Sequence, residues 1–172
     1  MNNLNLKEIV ENLIDTFIHA GKISLDLRKQ GLIKKIKADN TPVSNGDLEV
    51  NKIVTQKIKE LTPELPIISE ETSDNKSINN LENFWLIDPI DGTYDYINNL
   101  EEFTINAGLI INKYPVAGLI YAPSKKRLFY SYGPNNAYEF TNGETKNLNC
   151  SQNFDKNDVK FVSYSNNIKP EI

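Results

Sequence analysis

The hydrophobic pattern of this chain changes period once, near Pro66, and that switch limits the folds open to it. Before the switch, apolar or small residues recur at threes and fours. Ile9, Leu13, Phe17, Ala20, Ser24 and Leu27 share one face of a helix predicted over residues 5–30. Gly31 supplies its stop. The stretch "KIKADNTPVSNGD" predicts a polar loop. Ser44 then stands three residues before Asp47, the spacing of a capping box. Val50, Val54, Ile58 and Leu61 continue as a second amphipathic helix, ended by Thr62-Pro63. Beyond Pro66, "PIIS", "FWLID", "TINAGLII", "VAGLIY", "LFYSY" and "AYEF" are short runs rich in Ile, Val, Phe and Tyr, and they predict strands. "NKYP" at 112–115 predicts a hairpin between antiparallel neighbours. Residues 141–158 predict a polar linker, and "VKFVSYS" a last strand. The fold class expected is α+β, with two N-terminal helices packed on a mainly antiparallel sheet.

Composition narrows the function. A chain of 172 residues suits one domain, or one domain and the beginning of another. With 39% hydrophobic and 24% charged residues it reads as globular. A net charge of −4 and no basic stripe speak against binding a nucleic-acid polymer. Lys34, Lys35 and Lys37 form the densest cationic cluster, read as a solvated face able to attract a small anion. The single cysteine, Cys150, rules out an internal disulfide, and His19 is the sole histidine. They also count against a Cys–His nucleophile and a Cys/His zinc site. A reducing cytoplasm is the simplest setting. No run of eighteen apolar residues predicts a membrane span, and the N-terminus does not read as a secretory signal.

Acidic residues gather at the ends of predicted elements: Asp47 at a helix start, Glu70 and Glu71 after "PIIS", Asp88 after "FWLI", and Asp91 three further on. Carboxylates at strand ends can converge above a sheet edge, where they repel unless a cation lies between them. All-oxygen donors select a hard divalent ion, and magnesium where waters and a phosphate share the site. Taken singly, each feature has a local use: Asp91-Gly92 as a turn, Glu70-Glu71 as a solvated loop, Asp47 as a cap. In "DPIDGT" all six residues have tasks. Pro89 stiffens the turn, the Ile90 carbonyl is free to point at a metal, Gly92 allows close backbone approach, and Thr93 offers a hydroxyl and an N–H at a helix start.

"PVSNGD", "SEE" and "DPIDGT", in that order, resemble the lithium-sensitive, magnesium-dependent phosphatase superfamily that includes the inositol monophosphatases. "EFTINAGLI" and "PVAGLIYAPSKKRLFYSY" are similar to the CysQ group, the 3′(2′),5′-bisphosphate nucleotidases. The resemblance implies hydrolysis of a small phosphorylated nucleotide, adenosine 3′,5′-bisphosphate, to AMP and phosphate. Inositol monophosphatase activity and a non-catalytic truncated relative are the alternatives. It implies that Glu70, Asp88 and the Ile90 carbonyl hold one magnesium ion, and that Asp88 bridges to a second, which Asp91 also binds. Asp47 and Thr93 would orient the attacking water, and the N–H groups of Gly92 and Thr93 would hold the phosphate. Glu71 would stand behind the ligands. The chemistry implied is an in-line displacement without a covalent protein nucleophile.

The superfamily's further Asp, in "Trp-Asp-x-x-Ala-Gly", has no counterpart here. The sole tryptophan is Trp85, and only "NNIKPEI" follows Ser165. The expectation is therefore a metal-binding catalytic domain over 1–147, then a linker and the first strand of a largely missing second α/β domain over 148–172. Weak activity follows from that expectation, as does self-association or a second chain supplying the missing half.

Overall fold

The structure, a computed structural model, describes residues 4–37, 40–71 and 81–149. Helix α1, Leu6–Gln30, begins where the Asn5 side chain accepts from the Glu8 N–H, and ends at Gly31, whose φ of +99° carries the chain out of the helix. It buries Ile9, Val10, Leu13, Phe17, Ala20, Gly21 and Ser24, the three-and-four spacing expected. Helix α2, Asn45–Leu61, starts on the Ser44–Asp47 capping box and buries Val50, Val54 and Ile58. The Thr62 hydroxyl closes its last turn by donating to the Ile58 carbonyl, and accepts from the Trp85 indole N–H at 3.0 Å.

The two helices pack on each other and on one face of a seven-stranded sheet in the order β3-β4-β5-β6-β7-β8-β9. Its strands are β3 Ile67–Ser69, β4 Phe84–Asp91, β5 Thr104–Ile111, β6 Tyr114–Ala122, β7 Arg127–Tyr132, β8 Ala137–Thr141 and β9 Glu144–Asn147. β3 runs parallel to β4, and every later pairing is antiparallel. Alternate residues face the helices: Trp85 and Ile87, Ile105, Ala107 and Leu109, Ala117, Leu119 and Tyr121, Leu128 and Tyr130 are all buried. The opposite face carries Leu86, Gly108, Gly118, Ile120 and Phe129 along an apolar groove of about 1070 Å³. Leu86 and Ile120 remain half exposed there. No helix among the described residues is long and apolar enough to cross a membrane.

The expected α+β arrangement is therefore present, with two corrections. The stretch read as a polar loop contains a small hairpin, β1 Lys34–Ile36 against β2 Pro42–Ser44. Its three-residue strands are too short to show a period, and all of β1 is exposed, so no hydrophobic pattern marks it. The stretch read as a linker from 141 begins instead with the turn Asn142-Gly143, both at positive φ, and strand β9. All four β9 residues are exposed, so only the Asn-Gly turn signals that strand. The 112–115 hairpin is a two-residue turn, with Asn112 and Lys113 at φ +51° and +67°. "VKFVSYS" and Cys150 lie outside the described residues.

Trp85 joins sheet, α2 and core in one side chain, fully buried and hydrogen-bonded. Trp85→Ala is expected to cost about 3–5 kcal/mol of unfolding free energy, read from urea denaturation. A cost below about 1 kcal/mol would mean the core does not close around it.

Candidate metal and phosphate site

The acidic residues meet because β4 carries one residue too many. Asp88 pairs with Asn106 of β5, but Asp91 pairs with Thr104, so three steps on β4 match two on β5. This is a β-bulge at Pro89-Ile90. In a regular strand, residues three apart point to opposite faces. Here Ile87 and Ile90 are both buried in the core, each 1% exposed. Asp88 and Asp91 are likewise brought to one side. Pro89 costs no ladder hydrogen bond at an interrupted pairing.

Glu70 and Glu71 enter from β3, whose C-terminal end lies beside that of its parallel neighbour β4; the Glu70 N–H donates to the Ile87 carbonyl at 3.2 Å. Ser69, just before them, is buried and donates to Asn51 Oδ1 of α2 at 2.6 Å. Asp47 comes from the first turn of α2. Its Oδ2 accepts from the Ser44 N–H at 2.8 Å and hydroxyl at 2.6 Å, while Oδ1 accepts from the Thr93 hydroxyl at 3.1 Å. The Thr93 hydroxyl also lies 3.0 Å from the Ile90 carbonyl. That single proton is shared between two acceptors, so the hydroxyl oxygen is held in one place. The Ile90 carbonyl retains a second lone pair for another donor or a cation.

Gly92 joins β4 to the short helix α3, Thr93–Ile97, with φ of +87°. A Cβ there would lie 2.8 Å from the Glu102 carbonyl, so only glycine fits the turn that presents Thr93. Tyr96 anchors α3 by donating to the Ser24 carbonyl of α1 at 2.7 Å.

Electrostatically the site is strained. Asp88 Oδ1 is buried and has no hydrogen-bond partner among the described residues. Burial, then the charges of Glu70 and Asp91, pushes the Asp88 carboxyl up to about 7. Burial also pushes Glu71 up, against the pull of Lys37. The Lys37 ammonium lies 2.7 Å from Glu71 Oε1 and 3.1 Å from Glu70 Oε1. Asp91 accepts from the Asn106 amide at 3.1 Å. Among the described residues no three Asp, Glu, His or Cys side chains stand close enough together, as placed, to hold a metal ion between them. The donor set nevertheless fits a hard divalent cation: it is all oxygen, it crowds like charges, and it leaves one buried carboxylate oxygen without a partner.

Sequence patterning singled out Asp47, Glu70, Glu71, Asp88, Ile90, Asp91, Gly92 and Thr93, and the fold gathers them around the ends of β3 and β4. It missed Lys37, read as part of a solvated face and in fact only 22% exposed at its side chain. It also missed Asn106. Neither has a spacing signal, because each meets the site across a sheet or hairpin rather than along the chain.

The fold and site define an α+β scaffold with an acidic, all-oxygen centre at one end of its sheet. The chain belongs to the inositol monophosphatase family, whose sequence pattern matches residues 5–171. It is 38% identical over 117 residues to the 3′(2′),5′-bisphosphate nucleotidase CysQ of Buchnera aphidicola, covering 67% of this chain and 44% of that protein. The structure of CysQ from Bacteroides thetaiotaomicron aligns with TM-score 0.61 and 28% identity, over 87% of this chain and 55% of that one. An IMPase/NADP phosphatase solved with Mg2+ and phosphate shares the fold at TM-score 0.69 and 20% identity, over 78% and 51% of the two chains. The chain spans about half the length of the curated relatives it matches.

Two outcomes follow from the strain. The folded chain holds the Asp88 proton more tightly than an ordinary carboxyl, so metal-free stability falls as pH rises from about 4 towards 7. Asp88→Asn is expected to remove that fall and to raise the metal-free Tm at pH 8 by roughly 2–4 °C. Gly92→Ala is expected to lower stability by at least about 1–2 kcal/mol, from the left-handed backbone alone. Thermal and urea unfolding check both. An unchanged Asp88→Asn profile across that pH range would show that the carboxylate is not crowded.

Proposed function

We propose that this chain carries the metal- and phosphate-binding part of a magnesium-dependent phosphomonoesterase of the CysQ type, which hydrolyses adenosine 3′,5′-bisphosphate to AMP and phosphate. The observation that carries the reading is the bulge of β4, which sets Asp88 and Asp91 on one side beside Glu70 and leaves Asp88 Oδ1 buried without a partner. Similarity to CysQ proteins in sequence and structure supports the same class.

Glu70, Asp88 and the Ile90 carbonyl would hold one ion, with Asp88 and Asp91 holding a second. Magnesium bound there would supply an acidified water and neutralise phosphate charge. The chain's own contribution is positional. Ser44 fixes Asp47, and Asp47 accepts from Thr93, so the Thr93 oxygen can accept a hydrogen bond from the attacking water; as the water's proton moves to Thr93, the hydroxyl's own proton would pass to Asp47. Gly92 takes the left-handed turn that packs under the Glu102 carbonyl, and the N–H groups of Gly92 and Thr93 would donate to the phosphate oxygens. Glu71, held by Lys37, steadies the turn that carries Glu70. No side chain need bond covalently to phosphorus. A cytoplasmic setting belongs to this reading. So does completion of the pocket by further polypeptide over the apolar groove, which reaches Asp88 and Asn106.

The test is phosphate release from adenosine 3′,5′-bisphosphate, with and without magnesium, beside inositol 1-phosphate. The expected result is magnesium-dependent release that favours the nucleotide and falls about 100-fold or more in Asp88→Asn. Thr93→Val is expected to lower kcat about 100-fold with KM little changed. Release indifferent to magnesium, or to Asp88, would overturn the assignment.

A further inference from the structure

Lys37 is built into the site rather than lying beside it. Its N–H donates to the Thr41 carbonyl at 2.8 Å, and its carbonyl accepts from Asn40 at 3.0 Å, so the mouth of the β1–β2 hairpin pins its backbone. Its ammonium then reaches two carboxylates whose situations differ. Glu71, 2.7 Å away, has a side chain only 4% exposed. Its charge is cut off from water, and the ammonium is the cation beside it. Glu70, 3.1 Å away, is 47% exposed. Water can solvate it, and it also neighbours Asp88, which has an oxygen still unpartnered. An ammonium has three donors and can serve both carboxylates together. The Lys37–Glu71 contact is shorter and drier, whereas the Lys37–Glu70 contact is longer and wetter.

We propose that Lys37 is an internal counter-cation of this site: it keeps Glu71 throughout and holds Glu70 only until a divalent cation takes that carboxylate, thereby setting the concentration at which the site fills. The proposal rests on the metal-site reading above and deepens it. Its physical content is a competition. Like charges repel, so an ammonium within reach of Glu70 opposes the arrival of a doubly charged ion. A cation that binds must replace the Lys37 contact as well as shed its own water. Lys37 thus acts as a positioning residue, through Glu70 and Glu71.

The competition predicts opposite effects for two substitutions. Lys37→Met removes the rival charge, and magnesium is expected to bind about tenfold more tightly, while the metal-free Tm falls because Glu71 loses its partner. Lys37→Arg keeps the charge in a planar fork suited to bridging two carboxylates, so magnesium is expected to bind more weakly, with the metal-free Tm maintained. The measurement is calorimetric titration of magnesium into the 172-residue chain and both variants, with thermal unfolding alongside. If the wild-type chain binds magnesium and both variants bind it equally well, the competition is overturned and the metal site stands. If the wild-type chain shows no binding but Lys37→Met does, the ammonium fully occupies the site and the proposal holds. If neither binds, both this proposal and the metal-site reading fall. Should Lys37→Met fail to fold, the Lys37→Arg arm decides: unchanged or tighter magnesium binding overturns the proposal.

Discussion

The extra residue in β4 is the constraint on which the rest of the site depends. A strand that buries Trp85 and Ile87 on one face must present Leu86 and Asp88 on the other. Without the bulge, Asp91 would turn towards the core and Ile90 towards the carboxylates. One added residue against β5 reverses this, keeping Ile90 in the core and returning Asp91 to the side of Asp88. Pro89 and Gly92 make that path practicable. Proline sits where the ladder is interrupted, and glycine takes the left-handed turn under the Glu102 carbonyl.

Around the bulge, interactions that look purely structural also position the candidate site residues. The Ser44–Asp47 capping box begins α2 as capping boxes do. The same Asp47 carboxylate has a second oxygen left over, and it receives the Thr93 hydroxyl from a segment 46 positions away. The buried Ser69–Asn51 hydrogen bond ties the end of β3 to α2, and so fixes the point from which Glu70 and Glu71 depart. Capping and site-building are one arrangement here. A local use for Asp47 therefore does not compete with a functional one.

The site is held in a state that the fold alone would not favour. Asp88 is forced towards protonation by burial and by Glu70 and Asp91, and Glu71 is buried against a lysine. Such crowding persists because the core beneath it is well filled, from Phe17 and Leu13 of α1 through Trp85, Ile105 and Leu119 of the sheet. Rigid strands hold the carboxylates together; the Lys37 ammonium relieves Glu70 and Glu71, and a bound cation would relieve the rest.

The sequence by itself determined the two helices, the change to strands and most of the acidic set. Each of those signals is local: periodicity for α1 and α2, apolar runs for β3 to β8, and the six consecutive residues of "DPIDGT". The β1–β2 hairpin and β9 were not legible, because exposed strands of three or four residues carry no hydrophobic alternation. Tertiary structure alone decided that β3 runs parallel to β4, so that Glu70, just past the end of β3, comes beside Asp88. It alone decided the bulge, since register is a property of two strands. It also brought Lys37 to carboxylates 33 and 34 residues away. Charge in a sequence has a sign but no partner until packing removes water from one side of it.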